Sequence, residues 1–215
     1  MLCAGSVRRK NTQNTMLKNL LDACGAALAF FFVGYAFAFG GDRTKRTIDN
    51  IGHTVVKDTS TSFIGLENFL GRGDIDLPFF FFQYTFTAAS VTIVAGTLAE
   101  RCQMAAYLCY SFFLTGFVYP VVAHAAWSPR GFLSPDNVNP ILDMGMVDFS
   151  GSGVVHLTGG TTALFATYIL GSRRGRFYDT ATGRPLETPK PFPGHSVSLQ
   201  MLGSFILWFG CKFLF

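Results

Sequence analysis

Long stretches without charge alternate along the chain with short polar ones. No charged residue occurs from Ala23 to Gly41, and Leu17 to Asp22 extends that run with only Lys18 and Asp22 inside it. Pro78 to Ala99 carries no charge at all. Met104 to Trp127 contains His124 but no Asp, Glu, Lys or Arg, and Phe149 to Gly171 contains His156 in the same way. Ser196 to Cys211 is apolar up to Lys212. A membrane-crossing helix needs about 20 mostly apolar residues. The runs show neither strict alternation nor the ~10-residue segments of a membrane barrel. The pattern therefore predicts an all-α, polytopic helical membrane protein with about five transmembrane helices, at 17–41, 78–99, 104–127, 149–171 and 195–215. Polar loops rich in Pro and Gly fill Asp42–Leu77, Glu100–Gln103, Ser128–Asp148 and Ser172–Gly194.

Composition agrees and removes other classes. Hydrophobic residues make up 49% and charged ones 14%, against about 25% charged in a soluble domain, which excludes disorder. The five cysteines are odd in number and lack a C-x-x-C pair, so they read as small buried hydrophobes rather than a disulfide frame. A net charge of +4, spread along the chain, gives no reason to expect nucleic acid. No metal or cofactor is implied. Arg8, Arg9, Lys10, Arg101, Arg173, Arg174, Arg176, Arg184 and Lys190 fall on one side of the five spans. Arg43, Lys45, Arg46, Lys57, Arg72 and Arg130 fall on the other, mostly in the long Asp42–Leu77 loop. The first side is then cytoplasmic, with Met1 inside.

This orientation gathers several side chains near one outer mouth. Phe82 and Phe86 are four apart, on one face, near the outer end of their span. Trp127 ends the next span, and Asp148 opens the one after. His156 lies eight residues deeper, about 12 Å at 1.5 Å per residue. Each has a bland reading: Trp127 as a belt anchor, the phenylalanines as lipid-facing, Asp148 as a helix N-cap. An ionisable group at the depth of His156 is a functional candidate by default. Its helical face carries Phe149, Ser152, Gly153, Gly159, Gly160 and Ala163, all small but for the phenylalanine, which suits close packing and equally a narrow cavity. His124 reads as interfacial, His195 as a polar helix terminus, and Glu100–Arg101 as a structural ion pair or cap. Asp22 pairs with a neighbouring backbone or with Lys18.

The stretch Asp148-Phe-Ser-Gly-Ser-Gly-Val-Val-His156-Leu-Thr-Gly-Gly160 resembles the signature of the ammonium transporter family, of the plant and algal kind. The likeness runs collinearly along the chain. It includes Met1-Leu-Cys-Ala-Gly-Ser-Val7 with Lys10-Asn-Thr12, Gly34-Tyr-Ala-Phe-Ala-Phe-Gly40, Phe82-Gln-Tyr-Thr-Phe86 and Ala99-Glu-Arg101. It continues through Phe113-Leu-Thr-Gly-Phe-Val-Tyr-Pro-Val-Val122, Trp127-Ser128, Gly194-His-Ser196 and Leu207-Trp-Phe-Gly210.

The resemblance implies a transporter, not an enzyme, with ammonium or ammonia as its cargo and the lipid bilayer as its surroundings. It implies homotrimers of eleven-helix subunits, or mixed trimers with full-length paralogues, in the plasma membrane. Phe82 and Trp127 match vestibule positions, Phe86 the outer gate ring, Asp148 an acidic residue that shapes the vestibule, and His156 the first of two pore histidines. An ammonium ion is drawn to aromatic faces, and imidazole takes and gives a proton near neutral pH. Residues 1–215 correspond to family helices two to six, a partial domain of a fold built from two inverted halves. After Gly210 the likeness ends, with the inner gate position near Leu214, so the chain reads as a truncated form. A non-conducting regulatory or defective subunit of the same family is the alternative. A membrane haem protein using His124 and His156, or a hydrolase using Ser150 or Ser152 with His156, is more remote.

Overall fold

The computed structural model describes residues 1–42, 45–48, 54–57, 61–73 and 75–212. The five apolar runs are helices in it. After a short helix α1 (Leu2–Ser6), α2 runs unbroken from Arg9 to Phe39, α3 is Leu77–Leu98, α4 Met104–Trp127, α5 Ser152–Leu170 and α6 Val197–Lys212. The first four long helices have the length and hydropathy to cross a membrane, and α6 is shorter. At 22 residues α3 spans about 33 Å. Leu214, Arg43 and the end of the fifth expected span lie outside the described residues.

The helices begin and end where local chemistry dictates. Asp76 accepts a hydrogen bond from the Phe79 amide, and Pro78 sits in the first turn, where its missing N–H costs nothing. The turn after α3 places Glu100 at φ 63°, a left-handed conformation costly for a residue with a side chain. Helix α2 starts well before the expected Leu17, because Asn11 and Thr15 carry it through a polar first turn (Thr15 Oγ1 to Asn11 O, 2.9 Å). Helix α5 starts later than the expected Phe149, at Ser152, because residues 148–151 form a turn. The loop expected at Asp42–Leu77 also contains a two-stranded antiparallel hairpin, Lys45–Ile48 with Thr54–Lys57, in which Lys45 pairs with Lys57.

Helix α3 is the hub, packed against α2 and α5, while α2 also packs on α4 and α6 leans on α1. The buried stripe of α3 is Gln83, Thr87, Ser90, Val91, Val94 and Leu98, whereas Phe79, Phe81 and Phe82 are exposed. Polar side chains such as Gln83, Thr87 and Ser90 inside, with bulky phenylalanines outside, is the arrangement expected of a helix facing lipid. Phenols tie the helices together: Tyr84 Oη donates to Ala23 O (3.0 Å) and Tyr110 Oη to Val91 O (3.2 Å). Asp22 is fully buried between α2 and α4 and accepts from Tyr107 Oη, while Lys18 Nζ donates to Cys102 O (2.8 Å). In place of the expected pairing of Asp22 with a neighbouring backbone or with Lys18, its hydrogen bond comes from the Tyr107 hydroxyl, and Lys18 bonds a carbonyl.

Three helices contain a wide turn with i to i+5 bonds: Phe30–Gly34 in α2, Leu114–Val118 in α4 and Ser152–Leu157 at the head of α5. The turns of α2 and α4 lie against each other, and a Cβ at Gly34 would sit 2.7 Å from Thr115 O. Pro120 has no N–H to offer Gly116 O, and the wide turn just before it lets Tyr119 N bond Leu114 O instead.

Candidate functional site

At the end of the bundle where α3 and α5 begin and α4 ends, a cavity of about 370 Å³ opens. Its lining includes Phe82 and Phe86 of α3, Trp127 at the end of α4 and Asp148 from the turn before α5, together with Phe79 and Gln83. The rings form a chain: Phe82 meets Phe86 edge-on at 4.9 Å between centroids, and Phe86 meets Trp127 at 5.4 Å. Phe82 is 51% exposed and stands at the opening, whereas Phe86 and Trp127 are half-buried behind it. Three π faces around one small space can attract a cation.

Asp148 does not present a bare carboxylate to that space. Its Oδ1 accepts from Gly151 N (2.9 Å), Ser152 N (2.8 Å) and Ser152 Oγ (3.1 Å). Its Oδ2 accepts from Gly153 N (3.1 Å) and Val154 N (2.7 Å). The side chain therefore collects the otherwise unsatisfied N–H groups at the start of α5, and its backbone oxygen accepts from Trp127 Nε1 at 2.8 Å. Reaching those amides requires the chain to reverse, which Gly151 does at φ 85°.

His156 does not line the mouth cavity. With α5 starting at Ser152, it stands about one turn into the helix, not eight helical residues in. The wide turn sends its backbone N–H to Gly151 O (2.9 Å), and its Nδ1 lies 3.2 Å from the same oxygen. A carbonyl can only accept, so Nδ1 carries the hydrogen and, in the neutral ring, Nε2 has an open lone pair. The imidazole is exposed. The small face around it divides: Gly159 and Ala163 pack inward, Gly159 against Ser90 and Ile93 of α3, while Gly160 has open space beside it.

Two further histidines, His124 and His195, have tasks within the fold. His124 is fully buried, with Nδ1 2.7 Å from Ala38 O and Nε2 2.8 Å from Thr61 O. It is a cross-link between α2 and the following loop, not an interfacial residue, and neither nitrogen is open for an axial ligand bond. His195 lies at a helix start as expected, its backbone N–H bonding Val7 O (3.2 Å). Glu100 is a hub: it accepts from Arg8 Nε (3.0 Å), Asn11 Nδ2 (2.6 Å) and an Arg173 guanidinium nitrogen (3.2 Å). Arg101 turns instead to Gly171 O and Thr97 O. Gln83 was not singled out by pattern; it lines the mouth with a buried Oε1 that has no hydrogen-bond partner. An amide inside an uncharged run was the one signal for it.

Comparison with known proteins identifies the family. The sequence model of the Ammonium Transporter Family matches residues 1–213. Ammonium transporter 1 member 3 of Oryza sativa subsp. japonica is 47% identical over 212 residues, covering 98% of this chain and 39% of the relative. Ammonium transporter 1 member 3 of Solanum lycopersicum is 43% identical over 214 residues, covering 98% of this chain and 41% of the relative. Among solved structures, a sensor Amt protein superposes with a TM-score of 0.74 at 30% identity, covering 97% of this chain and 47% of that one. Mep2 of Saccharomyces cerevisiae gives 0.66 at 26%, covering 91% and 39%. The chain spans about two fifths of the length of the curated relatives it matches. It belongs to the ammonium transporter family, a membrane-protein family whose named members are transporters and not enzymes.

Proposed function

We propose that this chain supplies the entrance and the first proton-handling group of an ammonium conduction path. The observation that carries the reading is the convergence of Phe82, Phe86 and Trp127 from two helices on one cavity beside Asp148. An ammonium ion entering there is held by ring faces, each worth about 0.5–2 kcal/mol as desolvation proceeds. Phe86 is the ring it must pass. Asp148 keeps the rings and the head of α5 in register through five accepted hydrogen bonds and the Trp127 contact.

An apolar passage disfavours a bare ion, so the proton leaves before ammonia goes on. The open Nε2 of His156, whose hydrogen is fixed on Nδ1 by Gly151 O, is the acceptor. In this reading residues 1–215 form part of a transport domain, assembled in homotrimers or mixed trimers in the plasma membrane, with Met1 on the cytoplasmic side. A second reading has its own support. His156 is exposed, as are Leu164, Phe165, Tyr168 and Ile169 on α5, so the described residues do not enclose a passage around it. On its own the chain is then a non-conducting subunit.

One experiment addresses both. Labelled methylammonium uptake is measured in yeast lacking its own ammonium carriers. The chain is expressed alone and as a fusion that continues it with the rest of the tomato relative. The chain alone is expected to give no uptake above vector, and the fusion to restore it. His156→Ala in the fusion is expected to abolish uptake, or to admit the whole ion and lose discrimination against potassium. Wild-type uptake with wild-type selectivity would make His156 a packing residue.

A further inference from the structure

A second cavity, of about 620 Å³, lies at the opposite end of the bundle from the aromatic mouth. Three stretches remote in sequence close around it: the chain from Arg8 to Lys18, the turn Glu100–Gln103, and the loop from Arg174 to Phe192. Its lining holds the cations Arg8, Lys10, Lys18, Arg101, Arg174 and Lys190. The carboxylates facing them are Glu100 and Asp179.

Both carboxylates are already committed. Glu100, its side chain 1% exposed, is shared by Arg8 and Arg173. Asp179 accepts from Thr182 Oγ1 (2.7 Å) and Ala181 N (3.2 Å) within its own loop. Lys18 and Arg101 spend their N–H groups on carbonyl oxygens. Among the described residues, the side chains of Lys10, Arg174 and Lys190 make no hydrogen bond or salt bridge, and Lys190 feels Asp179 through its charge alone. Burial first, and then the neighbouring Arg173 charge, push the Arg101 guanidinium below its ordinary value, against the opposing pull of Glu100.

The wall is built, not a chance meeting of loose chains. Leu186 N bonds Phe177 O (2.9 Å), Lys190 N bonds Arg176 O (2.8 Å), and Asp179 N bonds Arg184 O (2.9 Å). The Arg8 guanidinium stacks over the Phe192 ring at 3.8 Å. The volume falls within the ~300–1,000 Å³ of small-ligand sites and exceeds what an inorganic anion fills. Tyr178, Leu186 and Phe192 offer an apolar side for an organic body. A doubly charged oxyanion suits several cations converging on one space better than a single carboxylate does.

We propose that this cavity binds a phosphate monoester on a small organic body, its oxygens held by Lys10, Arg174 and Lys190 and its body against Tyr178 and Phe192. Bound there, it would join the chain before α2 to the loop after α5, beside the Glu100 link that already holds them. The phosphate can belong to a membrane lipid headgroup, which basic pockets at helix ends are suited to hold, or to a soluble compound. The inference stands apart from what crosses the bilayer, since none of these residues lines the aromatic mouth.

The test uses the full chain, purified in detergent. Calorimetric titration with inositol trisphosphate is set beside titration with inorganic phosphate and with sulfate. In parallel, the chain is reconstituted in phosphatidylcholine with added phosphatidylinositol monophosphate, and retained lipid is counted by native mass spectrometry. Saturable binding in either arm, tighter than sulfate, is expected; the arm that binds identifies the source. Losing two charge-assisted contacts in K10A/R174A is expected to weaken binding about a hundredfold, roughly tenfold for each contact. Arg9→Ala, outside the cavity, leaves it unchanged. If the double variant misfolds, Lys190→Gln alone is expected to cost about tenfold. Binding no tighter than sulfate in both arms overturns the proposal. So does an unchanged affinity in K10A/R174A or Lys190→Gln, or an equal loss in Arg9→Ala.

Discussion

Replacing Asp148 by Asn separates two jobs a carboxylate could have at the mouth. As a direct cation ligand it would need an oxygen free to face the cavity. The structure instead gives Oδ1 three donors and Oδ2 two, all from residues 151–154. An asparagine keeps one oxygen and can keep the Oδ1 set. Its amide NH₂ then faces Gly153 N and Val154 N, donor against donor. Two bonds to a charged acceptor are lost, at about 1.5 kcal/mol each or more. The negative charge at the start of α5 goes as well, worth about 0.3–1 kcal/mol. The expected destabilisation is about 3–4 kcal/mol, with the head of α5 frayed and Trp127 released from Asp148 O. Thermal unfolding of the purified chain in detergent, followed by tryptophan fluorescence, measures it; Asp148→Glu, one methylene too long to reach the same amides, is expected to rescue little. An Asp148→Asn protein as stable as wild type that still loses ammonium recruitment in the fusion would refute the capping account and make the carboxylate a ligand.

The remaining predictions concern the ring, the hub and the buried histidine. Trp127→Leu in the fusion removes one π face and is expected to raise the concentration for half-maximal methylammonium uptake several-fold, from about 1 kcal/mol of cation–π attraction, with surface expression retained; an unchanged dependence would leave Trp127 a membrane anchor. Burial alone would raise the Glu100 carboxyl, but hydrogen bonds from Asn11 and Arg8 and the Arg8 charge outweigh it and hold it below the ordinary glutamate value. A depressed carboxyl stabilises the fold above the ordinary glutamate range and loses that contribution as pH falls through the lowered value, so Glu100→Gln is expected to flatten the acid side of the stability–pH curve and lower the plateau near neutrality. His124→Ala leaves Ala38 O and Thr61 O without their ring partner and opens a cavity, a cost of about 3 kcal/mol, visible as early proteolysis of the loop after α2.

The spans were legible because each uncharged run is about as long as a bilayer is thick, a signal that needs no knowledge of packing. The resemblance then named the mouth residues, and the geometry gathers four of the five. What pattern could not carry is the local backbone. A 3.6-residue period cannot announce the wide turns at Phe30–Gly34, Leu114–Val118 and Ser152–Leu157, which arise from Pro120, from close approach at Gly34 and from the Asp148 cap. Eight residues therefore did not mean eight helical rises between Asp148 and His156. The place of His124 one turn from a helix end predicts an interfacial residue; its two carbonyl partners, from residues 38 and 61, are distant in sequence and leave no periodic trace. The paired strands Lys45–Ile48 and Thr54–Lys57 have four residues each, too short to stand out in a polar loop.

The cap and the histidine are parts of one device. Asp148 holds Gly151 N and Ser152 N, which orients the Gly151 carbonyl; that oxygen in turn accepts from the backbone of His156 and from its Nδ1. The same Asp148 backbone oxygen anchors Trp127. One reversed turn of four residues thus positions the Trp127 ring and fixes the His156 hydrogen on Nδ1, so under the proposed function it serves both cation recruitment and proton transfer. Loosening the turn should injure both at once, whereas Trp127→Leu should injure recruitment alone and His156→Ala proton handling alone. A doubly defective Asp148→Asn beside two singly defective partners is the pattern this arrangement requires, and it can arise without Asp148 ever touching the ion.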